Sequence, residues 1–147
     1  MARGIPLLLP EEQKELRERV QEFTRDNPNL ANHPHIPYLF EGMSVHHAGM
    51  LPSWKGMVEK LFQRGLLKVV FATETLAAGI NMPARSTVIS SIQKRSDEGH
   101  RELRPSEFLQ MSGRAGRRGM DDVGHVVVLH NPFESVEDAA KLATAKA

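Results

Sequence analysis

The chain has 147 residues, 40% apolar and 25% charged, which fits one globular domain of ordinary size with a modest core and argues against two independent domains. It has no cysteine, which excludes disulfides and thiolate metal ligands as stabilisers and suits an intracellular setting. A net charge of +1 averages a mixed-charge helix against local clusters, so the distribution of charge says more about partners than the sum.

In chain order, the apolar run within Met1 to Pro10 is too short to span a bilayer, and a proline interrupts it before any small-residue cleavage site, so the chain reads as soluble. From Glu11 to Arg25, Leu16, Val20 and Phe23 recur at helical spacing among charges, and Pro10 suits a helix start. Asp26 to Pro37 has no periodicity and many prolines and asparagines, which predicts a long loop. Met43 to His47 predicts a short strand. Pro52 then opens a helix whose Trp54, Val58, Leu61 and Phe62 share a face, with Gly65 at its end.

Leu66 to Ala72 is almost continuously apolar, which predicts a strand of a parallel sheet covered on both faces, and Ser86 to Ile92 repeats the signal. Pro105 to about Arg114 predicts a helix, Gly124 to His130 the last strand and Phe133 to Ala143 the last helix. The alternation of strand and helix makes the fold class α/β with a mostly parallel sheet flanked by helices. Residues 1–41 form an amphipathic helix and long loop, and 42–147 the α/β core. Ala143 to Ala147 reads as a frayed or truncated end.

Two segments fall where open α/β sheets collect ligands, beyond the carboxyl ends of strands. The first, Phe71 to Pro83, leaves a strand, makes about one helical turn and exits through Gly79. Its free helix amides could hold a phosphate with help from the Thr73 hydroxyl; equally, Thr73 could only cap the turn, Gly79 end it and Asn81 make a bend. The second, Gln110 to Gly119, carries three arginines and no acid. In a continuing helix Gln110, Arg114 and Arg117 would share one face and suit a phosphate chain, while Gly113 and Gly116 would let another backbone or a ligand come close. The bland alternative is a solvated surface salt-bridged to Asp121 and Asp122.

Other patterns carry less. Asp97-Glu98-Gly99-His100 spells an Asp-Glu-x-His string, but it follows a polar loop rather than the apolar strand that a magnesium-holding pair requires. Gly113 to Gly116 fits a G-x-x-G pattern too weakly to mean a KH domain, and no phosphate loop of the form G-x-x-x-x-G-K-[ST] occurs. His33 with His35, and His46 with His47, lack cysteines and helical partners, so no metal site is expected. His46 and His47 are strand neighbours that point to opposite faces, so at most one serves a site.

Val45 to Pro52 (VHHAGMLP), Phe71 to Ala84 (FATETLAAGINMPA) and Gln110 to Gly119 (QMSGRAGRRG) together resemble the C-terminal motor motifs of superkiller-type DExH RNA helicases, in order and spacing. The resemblance runs from about Gly42 to Phe133, and Ser90 to Arg95 is similar to the cyanobacterial and chloroplast branch. It implies a RecA-like helicase C-terminal domain with 1–41 as a family-variable insertion. ATP and Mg2+ would be bound mainly by a separate N-terminal RecA-like half, the principal partner of this one. Arg114 and Arg117 would be arginine fingers for the γ-phosphate with Gln110 in support, Gly79 and Asn81 would approach the ribose, and Thr73 and the backbone near Gly49 would hold RNA phosphates. Asn81 stands where many related helicases have aspartate.

The resemblance further implies an intracellular protein, cytoplasmic or in the plastid stroma of a plant, with no membrane partner. The family's first strand of this half would precede Leu7, so the chain is expected to be part of a longer protein, inactive alone, with an unpaired edge that favours self-association. A non-catalytic RNA-binding adaptor is the main alternative, weakened by the intact Arg114 and Arg117. A DNA helicase half is another, because motor motifs grip phosphates and discriminate poorly between RNA and DNA.

Overall fold

The computed structural model describes residues 4–73 and 81–146, and the chain divides into two compact units, Met1–Leu76 and Ala77–Ala147.

In the first unit, helix α1 (Pro10–Asp26) starts with proline at its first position, and the Glu12 carboxylate accepts the Leu9 N–H at 2.9 Å, satisfying an amide that the helix cannot. It buries Leu16 and Val20, as the periodicity predicts. The segment expected to be a loop is partly ordered instead: Pro28–Leu30 forms a 3-10 turn and Ile36–Phe40 a short helix, α2. Both are too short to leave a periodic signal, and single buried leucines, Leu30 and Leu39, pin them to the core.

Strand β1 (Met43–His46) pairs in parallel with β2 (Val69–Ala72), His46 opposite Ala72, and helix α3 (Pro52–Gln63) connects them. Helix α3 ends where Gly65 takes a φ of +75°, so that the Gly65 N–H reaches Phe62 O and the Leu66 N–H reaches Leu61 O, both at 2.9 Å. The core gathers Leu16 and Val20 of α1 with Trp54, Met57, Val58 and Leu61 of α3, and with Leu66 and Leu67. Burying each such side chain contributes about 1.5–3 kcal/mol. The strand expected from Leu66 is therefore shorter: Leu66 and Leu67 are apolar because they close the core behind α3, and only the last four residues of that run pair. Nor is β2 covered on both faces, since Phe71 is 63% exposed.

In the second unit, β3 (Ser86–Ile89) pairs in parallel with β6 (His125–Val128). The strand expected through Ile92 stops at Ile89. The polar stretch read as a loop is instead a two-stranded antiparallel ribbon, β4 (Gln93–Ser96) and β5 (Gly99–Glu102). Its strands lack apolar alternation because neither face is fully buried, so periodicity could not reveal them. Helix α4 (Pro105–Ser112) and helix α5 (Val136–Thr144) complete the unit. Helix α5 begins three residues later than Phe133 because the Ser135 hydroxyl accepts the Asp138 N–H at 3.1 Å and caps it. Met82, Ile89, Ile92, Leu103 and Phe108 are buried in this unit. The organisation is α/β, helices alternating with parallel strand pairs.

Candidate functional site

In the first unit the parallel register carries both chains out at the same carboxyl edge, so the turn containing Gly49 and the residue Thr73 follow adjacent strand ends. The Thr73 N–H donates to His46 O at 3.4 Å, and the residue is exposed. The turn is held by His47, whose Nδ1 accepts the Gly49 N–H at 3.2 Å and whose carbonyl accepts the Met50 N–H at 3.1 Å. His46 points the other way. It is 2% exposed, with Nε2 2.9 Å from Glu59 Oε1 on α3 and a buried Nδ1 without a hydrogen-bond partner. Strand alternation thus gives the two histidines separate tasks, one shaping the turn and one tying β1 to α3. The helical turn expected after Thr73, and Gly79 within it, lie outside the described residues.

In the second unit Asn81 is exposed. The common helical face expected for Gln110, Arg114 and Arg117 does not form. Helix α4 ends at Ser112, with the Gly113 N–H on Leu109 O at 2.8 Å, and only Gln110 belongs to it. The chain is then drawn against Ala84: the Ala84 N–H donates to Arg114 O at 2.9 Å and the Gly116 N–H to Ala84 O at 2.7 Å. Gly116 adopts a φ of +90°, and a Cβ there would meet Gly124 Cα at 3.2 Å. A Cβ on Gly124 would fall 2.5 Å from the Ala115 carbonyl. The glycines permit a close backbone approach, as expected of them, and the approaching chain is the residue before β6. Gly124 carries no local signal beyond opening an apolar run.

Arg117 donates from its N–H, Nε and Nη2 to the Asp121 carboxylate at 3.0, 2.8 and 2.8 Å. The Arg117 guanidinium holds the Asp121 carboxyl down at about 2, against an ordinary 3.8. The salt-bridged surface read as the bland alternative is therefore real at this residue. It still leaves donors on the far edge of the fork, because a guanidinium has five. Arg114 is half-buried in the turn between α4 and Ala115. Asp97 and Glu98 are exposed at the tip of the β4–β5 ribbon. Among the described residues no three His, Asp or Glu side chains stand close enough to share a metal ion, and no helix is long and apolar enough to cross a membrane.

Residues 12–119 match the helicase conserved C-terminal domain family. The chain is 50% identical over 131 residues to the DExH-box ATP-dependent RNA helicase DExH15, chloroplastic, of Arabidopsis thaliana, covering 89% of this chain and 11% of that protein. It is 48% identical over 111 residues to the antiviral helicase SKI2 of Saccharomyces cerevisiae, covering 76% of this chain and 8% of the relative. Superkiller complex protein 2 of Homo sapiens is 55% identical over 91 residues, 62% of this chain and 7% of the relative. The chain thus spans roughly a tenth of the length of these curated relatives. With the matched span reaching from α1 through the arginine-rich turn, the chain belongs to the helicase conserved C-terminal domain family, in its superkiller-type DExH-box branch.

Proposed function

We propose that this chain is the C-terminal half of an ATP-dependent RNA helicase motor, which supplies arginine fingers and RNA-backbone contacts and completes its site against an N-terminal RecA-like half of the same protein. The observation that carries this reading is the turn from Gly113 to Asp121. Its backbone is packed so closely on Ala84 and Gly124 that Arg114 and Arg117 start from fixed positions just past the end of α4. Fixed donors of this kind stabilise charge as it develops, because they need not reorganise during the reaction.

The donor set fits a nucleotide: planar guanidinium forks match phosphate oxygens, and the exposed Gln110 amide lies in the last turn of α4, just before the arginine turn. ATP, when bound, supplies the phosphoryl group whose hydrolysis drives the cycle. Arg114 and Arg117 would donate to its terminal phosphate with Gln110 in support, and Asn81, with Gly79 from outside the described residues, would hold the ribose. Magnesium would be held mainly by the N-terminal half. Thr73 and the turn at Gly49 leave one sheet edge together, which suits a phosphate backbone gripped without reading bases. An intracellular setting, cytoplasmic or plastid stromal, goes with this reading.

The test is ATPase activity of this chain and of the full-length parent, measured side by side with RNA and with single-stranded DNA. Activity in the parent alone, stimulated by RNA, supports the half-motor. Silence in both favours an RNA-binding adaptor, and preferential stimulation by DNA moves the substrate to DNA.

A further inference from the structure

The β4–β5 ribbon has no part in the function proposed above, yet it is fixed with unusual care. In the antiparallel register Lys94 stands directly opposite Arg101, two like charges that repel across a strand pair. A single carboxylate, Glu107 on α4, answers both. It accepts from Lys94 Nζ at 2.9 Å and takes the Arg101 fork at 2.9 and 2.7 Å, one nitrogen to each oxygen. The same carboxylate accepts the Arg104 N–H at 2.7 Å, at the start of α4. All three side chains are only a fifth to a third exposed, so the cluster is less screened than an open surface pair. The ribbon root is held too: the Glu134 carboxylate accepts from Ser91 Oγ and from the Ile92 and Gln93 N–H groups, both at 3.1 Å.

Capping α4 requires one acceptor. Glu107 instead ties four donors, from both ribbon strands and the helix start, into one node, and Gln110 lies one helical turn further along the same rod, about 5 Å away. The buried Phe108 beside it anchors the helix through apolar contact, independently of charge. We propose that Glu107 is a positioning residue of the motor: it locks the ribbon to α4 and so fixes where Gln110 and the turn bearing Arg114 and Arg117 stand. Any load on the ribbon then reaches the arginine turn through a rigid helix. The catalytic consequence rests on the helicase reading; the node itself does not.

The experiment uses the full-length parent. Glu107→Gln keeps the size of the side chain and an acceptor for the helix start, while removing the charge that holds Lys94 and Arg101. It is expected to lower the kcat of RNA-stimulated ATP hydrolysis by roughly 10- to 100-fold, the cost of a displacement of up to about an ångström. KM for ATP and the thermal midpoint should stay close to those of the parent. The double variant Lys94→Gln with Arg101→Gln should show a similar loss, and adding Glu107→Gln to it should cost nothing more, as one shared node requires. Unchanged kcat in Glu107→Gln, additive losses, or a fall in thermal midpoint with kcat preserved would each reduce Glu107 to a helix cap and overturn the proposal. Arg117→Ala is run alongside: if that variant is as active as the parent, the arginine-finger assignment on which the positioning role rests fails and the proposal falls with it, whereas a silent Arg117→Ala beside a normal Glu107→Gln refutes the positioning role alone.

Discussion

Arg117 meets two demands with one side chain. One edge of its guanidinium is committed to Asp121, and in the proposed function the other edge would donate to a phosphate. If it acts as the proposed arginine finger, replacing it with alanine in the full-length parent lowers turnover on the order of 10³-fold, with RNA affinity largely intact. Thr73→Val should do the reverse, weakening RNA binding more than basal turnover; filter-binding and ATPase assays on the pair check both. His33 gives a different test, one of stability. Its ring stacks on Trp54 with centroids 4.0 Å apart, and burial, followed by the neighbouring His35, pushes its pKa below the ordinary 6.5. The unfolded chain therefore takes up a proton that the folded one resists. The stabilisation is complete above about pH 6.5 and is lost as pH falls through the folded pKa. Urea unfolding followed by the single, fully buried Trp54 should show a lower midpoint at about pH 5 than at about pH 7.5, and His33→Phe should flatten that part of the difference.

At the scale of elements, glycine decides where the arginine turn can go. Gly113 already weakens any continuation of α4 through Arg114. Beyond that cap the backbone pairs with Ala84 and passes within contact of Gly124, geometry closed at Gly124 to any residue with a Cβ. Gly124→Ala forces a carbon to 2.5 Å from the Ala115 carbonyl, so backbone must move. The expected cost is about 1–3 kcal/mol of stability, the range for overpacking, with a larger fractional loss of ATPase turnover than of thermal stability. Calorimetry and steady-state kinetics on the variant check this, and a neutral result in both would mean that the turn tolerates the shift. The helices α1 and α3 were legible because three or more turns of apolar periodicity outweigh local noise. The ribbon was not, since its pairing is polar and its partner is an acid on another element.

Across the whole molecule, apolar side chains stand exposed on strands of both units: Phe71 on β2 at 63%, Val88 on β3 at 58% and Val127 on β6 at 46%. Strand faces of this kind are normally covered. In a two-half motor the remainder of the parent would supply that cover, so the isolated chain is expected to self-associate as its concentration rises. Size-exclusion chromatography with light scattering reads this directly, and a monomer across the full concentration range would count against it.

The amino-acid sequence by itself determined the α/β class, the helices α1 and α3 and the family, because each depends on short-range periodicity or on dense motifs; which strands pair in parallel came from the structure. It also picked out Thr73, Gly49, Gln110, Arg114 and Arg117 as candidates. Only the tertiary structure decided that α4 ends before Arg114, that Asp121 occupies one edge of Arg117, that Gly124 makes room for the turn, and that Glu107 joins Lys94 to Arg101. The Gly124 and Glu107 contacts join segments distant in the chain, which no local pattern of residue types encodes; the Arg117–Asp121 pair is local, four residues apart, and the sequence offered it as one of two readings that only the geometry separated.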